Sequence, residues 1–189
     1  AQRYRQGEEL IATERHDVSV VFADIVGLDR LQAELASEDS LALVNDLVRQ
    51  LDAVSEDLGI ERVRTAHNGY LGSCGLNTPR LDNVRRIVDF ALACQGIIRR
   101  FNSETGYELS LRAGVDTGTV SSGLVGRPTM VYEMWGAAVN LAYQVKSGSP
   151  QQGIYVTSRV HEALQETFDF TPAGVVTVDG EEQPIWRLS

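Results

Sequence analysis

Val18-Ser19-Val20-Val21-Phe22-Ala23-Asp24-Ile25-Val26-Gly27 is a β-branched apolar run that closes on a carboxylate and, three residues later, a glycine. Val18 to Ala23 read as a buried strand, because a short continuous apolar run bounded by a turn residue suits a sheet covered on both faces. A carboxylate at the end of such a strand can hold a hard cation, while exposed backbone amides beyond it face a phosphate. An aspartate that merely caps a strand is the commoner structure, so Asp24 alone does not choose between the two.

Working outward, Leu41, Val44, Leu47, Val48, Leu51, Val54 and Leu58 recur at three- and four-residue steps and predict an amphipathic helix stopped by Gly59. Two strand-like stretches follow, Ile60–Ala66 and Tyr70–Leu76, joined through His67-Asn68-Gly69, a strong hairpin signal. A second helix is expected from about Leu81 to Phe101, then a strand over Leu109–Val115. Gly118, Gly123 and Gly126 are spaced like hairpin turns. Ala137–Lys146 reads as a helix ended by Ser147-Gly148-Ser149-Pro150, followed by a strand at Ile154–Val156, a helix around Arg159–Glu166 and terminal strand pieces. Strand, helix, hairpin, helix, strand is the order of a ferredoxin-like βαββαβ sheet with helices on one face. The expected class is therefore α+β, an α/β sandwich with extra C-terminal strands and a helix.

The chain has 189 residues and is 43% hydrophobic, enough for one core. No apolar run reaches the ~20 residues of a membrane span. Ala1-Gln2-Arg3-Tyr4-Arg5-Gln6 reads as the cut end of something longer, so residues 1–16 are expected as a lead-in and 17–189 as one domain. A cytoplasmic setting is expected, and a membrane anchor in a longer parent stays open. A net charge of −9 argues against nucleic acid and against direct contact with an anionic membrane. The two cysteines, Cys74 and Cys94, show no metal or disulfide spacing and read as small buried hydrophobes. Lys146 is the only lysine, so a polyanionic ligand would have to be held by metal ions, backbone amides or arginines.

Two further elements carry polar candidates. Asn68 would lie beside Asp24 if the strands are neighbours, although Asn-Gly also suits a tight turn regardless of function. Tyr132-Glu133-Met134-Trp135-Gly136 leads into a helix on which Asn140 and Gln144, four apart, share a face. That face could touch a ligand or be simply solvated.

In order and context these segments resemble the class III adenylate and guanylate cyclase catalytic domains, from about Asp17 to Leu188. The run from Val20 to Gly27 is similar to the family's first metal-binding segment. Gly114-Val115-Asp116-Thr117-Gly118, Ser122-Gly123-Leu124-Val125-Gly126-Arg127, Trp135-Gly136 with Val139-Asn140, and Gly153-Ile154-Tyr155-Val156-Thr157 also follow the family pattern.

The resemblance implies a head-to-tail homodimer or heterodimer with sites at the interface. It also implies Mg2+ or Mn2+ as cofactor, and ATP or GTP as substrate, converted to a 3′,5′-cyclic nucleotide and pyrophosphate. Asp24 matches the first metal aspartate, Ile25 the backbone carbonyl ligand, and Gly27 and Leu28 the phosphate-facing turn. The second metal aspartate falls on Asn68, which supplies no charge, so one metal site is expected to be weakened. The base-selecting residue falls on Arg64 and its partner on Glu133, neither standard specificity code. Asn140 matches the ribose-positioning asparagine. The transition-state arginine falls on Gln144 and the phosphate-binding lysine on Glu181, losses that together imply roughly 10⁴-fold or more in rate. Lys146, six residues past Asn140 and about 240° around the helix, is expected to point elsewhere. Arg127 and Arg159 remain as substitute cations.

Two functional readings follow. In the first, a weakly active or inactive cyclase domain serves as a regulatory, dimerising module. In the alternative, an active cyclase uses non-standard substrate-binding residues. An unrelated ferredoxin-like binding domain is a third reading, and the ordered matches weigh against it.

Overall fold

The structure, a computed structural model, describes residues 2–5, 8–34, 38–64, 69–126, 130–149 and 151–189. Its elements run β1 (Gln2–Arg5), β2 (Glu8–Val26), α1 (Leu28–Glu34), α2 (Glu38–Leu58), β3 (Glu61–Arg64), β4 (Gly69–Cys74) and α3 (Asn83–Thr105). They continue with β5 (Ser110–Gly126), β6 (Met130–Trp135), α4 (Ala137–Gly148), β7 (Gly153–Thr157), α5 (Ser158–Leu164), β8 (Phe170–Val178) and β9 (Glu181–Leu188).

The sheet order is β3-β4-β2-β5-β7-β9-β8, with β1 paired to β2 and β6 to β5. Its first four strands, β3-β4-β2-β5, are all antiparallel neighbours, the arrangement that a βαββαβ chain gives when the second hairpin strand inserts beside the first strand. The ferredoxin-like expectation therefore holds, and the C-terminal additions extend the sheet through β7, which runs parallel to β5.

Strand alternation sorts the core into two sides. Val21, Ala23 and Ile25 of β2 face a large cluster with Leu47 and Leu51 of α2 and Ile87, Phe90 and Ile98 of α3. Val18, Val20 and Phe22 face the other way, toward Ala138, Val139 and Ala142 of α4. The expected helices on one face are thus supplemented by α4 on the opposite face.

Two sequence expectations change. Gly118, Gly123 and Gly126 are not turns: all lie inside β5, which pairs with β2 from Ser110 to Gly126. A Cβ on Gly118 would meet only the end of the Arg159 side chain, at 2.9 Å. Residues 8–16, expected as lead-in, continue β2 beyond a register shift between Arg15 and Val18, where Asp17 has φ 57°. No helix among the described residues is long and apolar enough to cross a membrane.

Candidate functional site

Asp24 ends the run of β2 residues that face α4. Directly across the sheet are Gly69 of β4 and Arg112 of β5. Opposed residues of an antiparallel pair share a face. Asp24 and Arg112 therefore stand on the same side, and the Arg112 Nε is buried without a hydrogen-bond partner among the described residues.

The position of α4 is set by a glycine. A Cβ on Gly114 of β5 would lie 2.2 Å from the Ala142 carbonyl oxygen and 2.6 Å from the Lys146 amide nitrogen. Only a residue without a side chain lets the helix rest on the strand backbone there. Ala138, Ala142 and Lys146 follow at four-residue steps, so the stripe of small residues that makes this contact ends on Lys146.

Lys146 is 8% exposed, and its Nζ donates to Oδ2 of Asp24 at 2.7 Å. The ammonium also lies 4.8 Å from the Tyr143 ring centroid and 5.4 Å from that of Phe22. Those rings meet edge to face at 5.2 Å. Aromatic faces attract a cation most strongly where water is scarce, so the lysine has three partners. The Asp24 side chain keeps 32% of its surface in solvent. The expectation that Lys146 points elsewhere is corrected here. It does point away from Asn140, but the far side of α4 is the side that carries Asp24.

The other candidates are dispersed in the single chain. Asn140 and Gln144 are exposed on α4. The Ile25 side chain is buried in the opposite core, which leaves only its backbone for a ligand, and Leu28 is likewise buried. Gly27 joins β2 to α1 with φ 95° and accepts a hydrogen bond from the Leu31 amide at 2.9 Å. Arg64 lies opposite Tyr70 in β3, and Glu133 opposite Gly123 in β6, with β4, β2 and β5 between the two strands. Glu181 is exposed where β9 begins, in register with Val178 across the Asp179-Gly180 turn. Asn68 and Arg127 lie outside the described residues.

A second ion pair occupies the same face of β5. Asp116 is fully buried and accepts from Thr157 Oγ1 at 2.7 Å and Arg159 Nη2 at 2.6 Å. Burial pushes its carboxyl above the usual range, against the opposing pull of Thr157 and Arg159. Arg159 is thereby committed to Asp116.

Sequence reasoning missed Lys146 and Arg112. The spacing of Lys146 from Ala138 and Ala142 carried the signal for the first. The chain offers a poor fit to the divalent cations that the family resemblance implies. The Asp24 carboxylate is already matched by the Lys146 ammonium, and the second metal position implied by the resemblance is a neutral amide, Asn68, outside the described residues. No cluster of three or more His, Cys, Asp or Glu occurs among the described residues. These residues do not fit a pair of divalent ions.

Comparison with known proteins places the arrangement. Residues 10–188 match the family described as adenylate and guanylate cyclase catalytic domain. An adenylate cyclase from Mycobacterium tuberculosis is 30% identical over 182 residues, 96% of this chain and 41% of that protein. The chain thus spans less than half the length of that relative. The guanylate cyclase domain of RhGC from Catenaria anguillulae, solved in complex with GTP, superposes with a TM-score of 0.82 at 26% identity, covering 94% of this chain and 98% of that one. A non-canonical dimeric guanylyl cyclase domain of the RhoGC fusion protein from Blastocladiella emersonii gives 0.78 at 26% identity, covering 93% and 97%. The chain belongs to the adenylate and guanylate cyclase catalytic domain family.

Proposed function

We propose that this member of the cyclase family pairs with a second cyclase domain and makes cyclic nucleotide slowly or not at all, acting as a regulatory module. The observation that carries the reading is the Lys146–Asp24 ion pair, which neutralises the site's one carboxylate. The replacements at Asn68, Gln144 and Glu181 point the same way, since each removes positive charge or metal-holding capacity from the place where a triphosphate would react.

Nucleoside triphosphate is the proposed ligand, supported by the similar domain solved with GTP. Dimerisation in general is supported by the similar domain that forms a non-canonical dimer, while head-to-tail pairing rests on the family resemblance and is the arrangement that would bring the dispersed candidates together. Asn140 and Gln144 on the exposed face of α4, and Glu181 on the β8–β9 hairpin, would then face the partner's Asp24 end. Arg64 and Glu133 would contact the base, and the backbone at Gly27 and Leu28 the phosphates. A cytoplasmic setting is proposed for the domain.

The relatives are named as cyclases, and Arg112 beside Asp24 offers a cation that neither replaced position supplies. These two facts favour the alternative of an active enzyme with non-standard residues. One assay separates the readings: incubation with ATP and with GTP, each with Mn2+, and measurement of cyclic product. The expected result is no product above a buffer control. Turnover that Asp24→Ala abolishes would overturn the low-activity reading. Restored synthesis in Asn68→Asp/Gln144→Arg/Glu181→Lys would support the assigned positions, and no restoration would count against them.

A further inference from the structure

We infer that Lys146 is the resident counter-ion of Asp24, a tethered monovalent cation standing where a divalent ion would bind, so that metal reaches Asp24 only by displacing it. This deepens the low-activity reading and says why the site would be slow.

The first argument is charge. Asp24 carries one negative charge, and the Lys146 ammonium matches it one to one. A divalent ion in its place would add a further positive charge on the sheet face that already carries Arg112. The chain's only lysine stands at this point.

Packing supplies the second argument. Lys146 does not reach Asp24 as a long surface side chain swinging through water. Its backbone is pinned against Gly114, its stem is buried, and its Nζ is enclosed by Asp24, Phe22 and Tyr143. An ammonium placed in this way loses little entropy on pairing, unlike exposed ion pairs, whose long side chains must be ordered. A metal ion arriving at Asp24 must expel a cation that has few other buried partners. Its apparent affinity falls by the fraction of molecules in which the lysine is displaced.

The lone lysine makes the test direct. In protein labelled with 15N at lysine, the Lys146 ammonium gives one NζH3+ signal, and Mn2+ bound at Asp24 would broaden it beyond detection. In the wild-type domain the signal is expected to persist through millimolar Mn2+. Asp24→Asn is expected to move or abolish it without any metal. Lys146→Met is expected to gain Mn2+ affinity by about tenfold or more, a gain that Lys146→Met/Asp24→Asn loses.

Wild-type signal broadened at the Mn2+ concentration that saturates Lys146→Met would overturn the inference, as would a Lys146→Met protein that folds and gains no Mn2+ affinity. If Lys146→Met does not fold, Lys146→Gln takes its place as the variant whose Mn2+ saturation sets the concentration for the wild-type titration. Cyclic product from a wild-type protein whose Nζ signal stays sharp in Mn2+ would overturn the low-activity reading while supporting this one.

Discussion

Two carboxylates stand on the same face of adjacent strands, each with one basic side chain, and they differ in which partner is buried. At Asp116 the carboxylate is wholly enclosed and its arginine is half exposed. At Asp24 the lysine is enclosed and the carboxylate keeps a third of its surface in water. A fully buried anion has no alternative to its partners, so the Asp116 pair is part of the framework. A carboxylate open to solvent can exchange one cation for another, so the Asp24 pair occupies a site. The geometry of the contacts is nearly identical, at 2.6 and 2.7 Å, and does not distinguish them. Desolvation does.

The sharpest way to break that contrast is Arg159→Met. It leaves the Asp116 carboxylate with the Thr157 hydroxyl and the Thr117 backbone amide but no cation, and removing one partner of a buried pair costs about 3 kcal/mol. Thermal or denaturant unfolding should show that loss at neutral pH. Its pH dependence has a definite sign. Burial holds the folded carboxyl above its unfolded value, so the fold is favoured while Asp116 is protonated, and that advantage disappears as pH rises through the raised folded value. Without Arg159 the folded value rises further. The penalty should therefore be small near pH 4 and grow toward neutrality. A penalty that stays constant over that range would show that Asp116 does not ionise in the folded protein.

Next in size is Gly114→Ala, because the added methyl meets backbone rather than a movable side chain. Overpacking of this kind costs about 1–3 kcal/mol, and α4 must lift to accommodate it. The Lys146–Asp24 contact should weaken with it, read as a shifted Nζ resonance. A stable Gly114→Ala protein with an unchanged resonance would mean that α4 is not held by this contact.

Gly114 also marks how far the sequence was legible. The strand carrying Asp24, the helix over Leu41–Leu58, the antiparallel pairing of β3 with β4 and the helix over Ala137–Lys146 were all readable, because their signals are local. β5 was readable only in its first part, over Leu109–Val115, because Gly118, Gly123 and Gly126, which usually signal turns, here lie inside the strand. The Asp24–Lys146 pair was hidden for a different reason. Its members are 122 residues apart and meet only because α4 crosses β5 at a residue without a side chain. The spacing of Lys146 from Asn140 was read correctly, but what stands on the far side of a helix is tertiary information. Of the site residues matched one by one to family positions, those among the described residues lie on separate elements and do not converge within one chain.

Asp24→Ala is expected to cost less than Arg159→Met, about 1–2 kcal/mol. The stranded group is then the Lys146 ammonium, which keeps the faces of Phe22 and Tyr143 and can extend toward the solvent that Asp24 vacated. Adding salt should change this cost little, because the lysine is shielded from screening ions. A loss as large as that for Arg159→Met would erase the distinction between framework pair and site pair.

The smallest expected effect is the most discriminating. Lys146→Met should leave stability within about 1 kcal/mol of wild type, since replacing a paired charge by an apolar side chain of similar volume is often neutral or better. Methionine would sit between Phe22 and Tyr143, where a thioether packs well against aromatic rings, and Asp24 would turn to water and Arg112. The same logic applied to Arg159 predicts a large loss, because Asp116 has no water to turn to. If both basic residues can be replaced at equal and small cost, burial is not what separates the two pairs. If Lys146→Met alone is tolerated, the lysine is there for what it excludes from Asp24 rather than for what it adds to the fold.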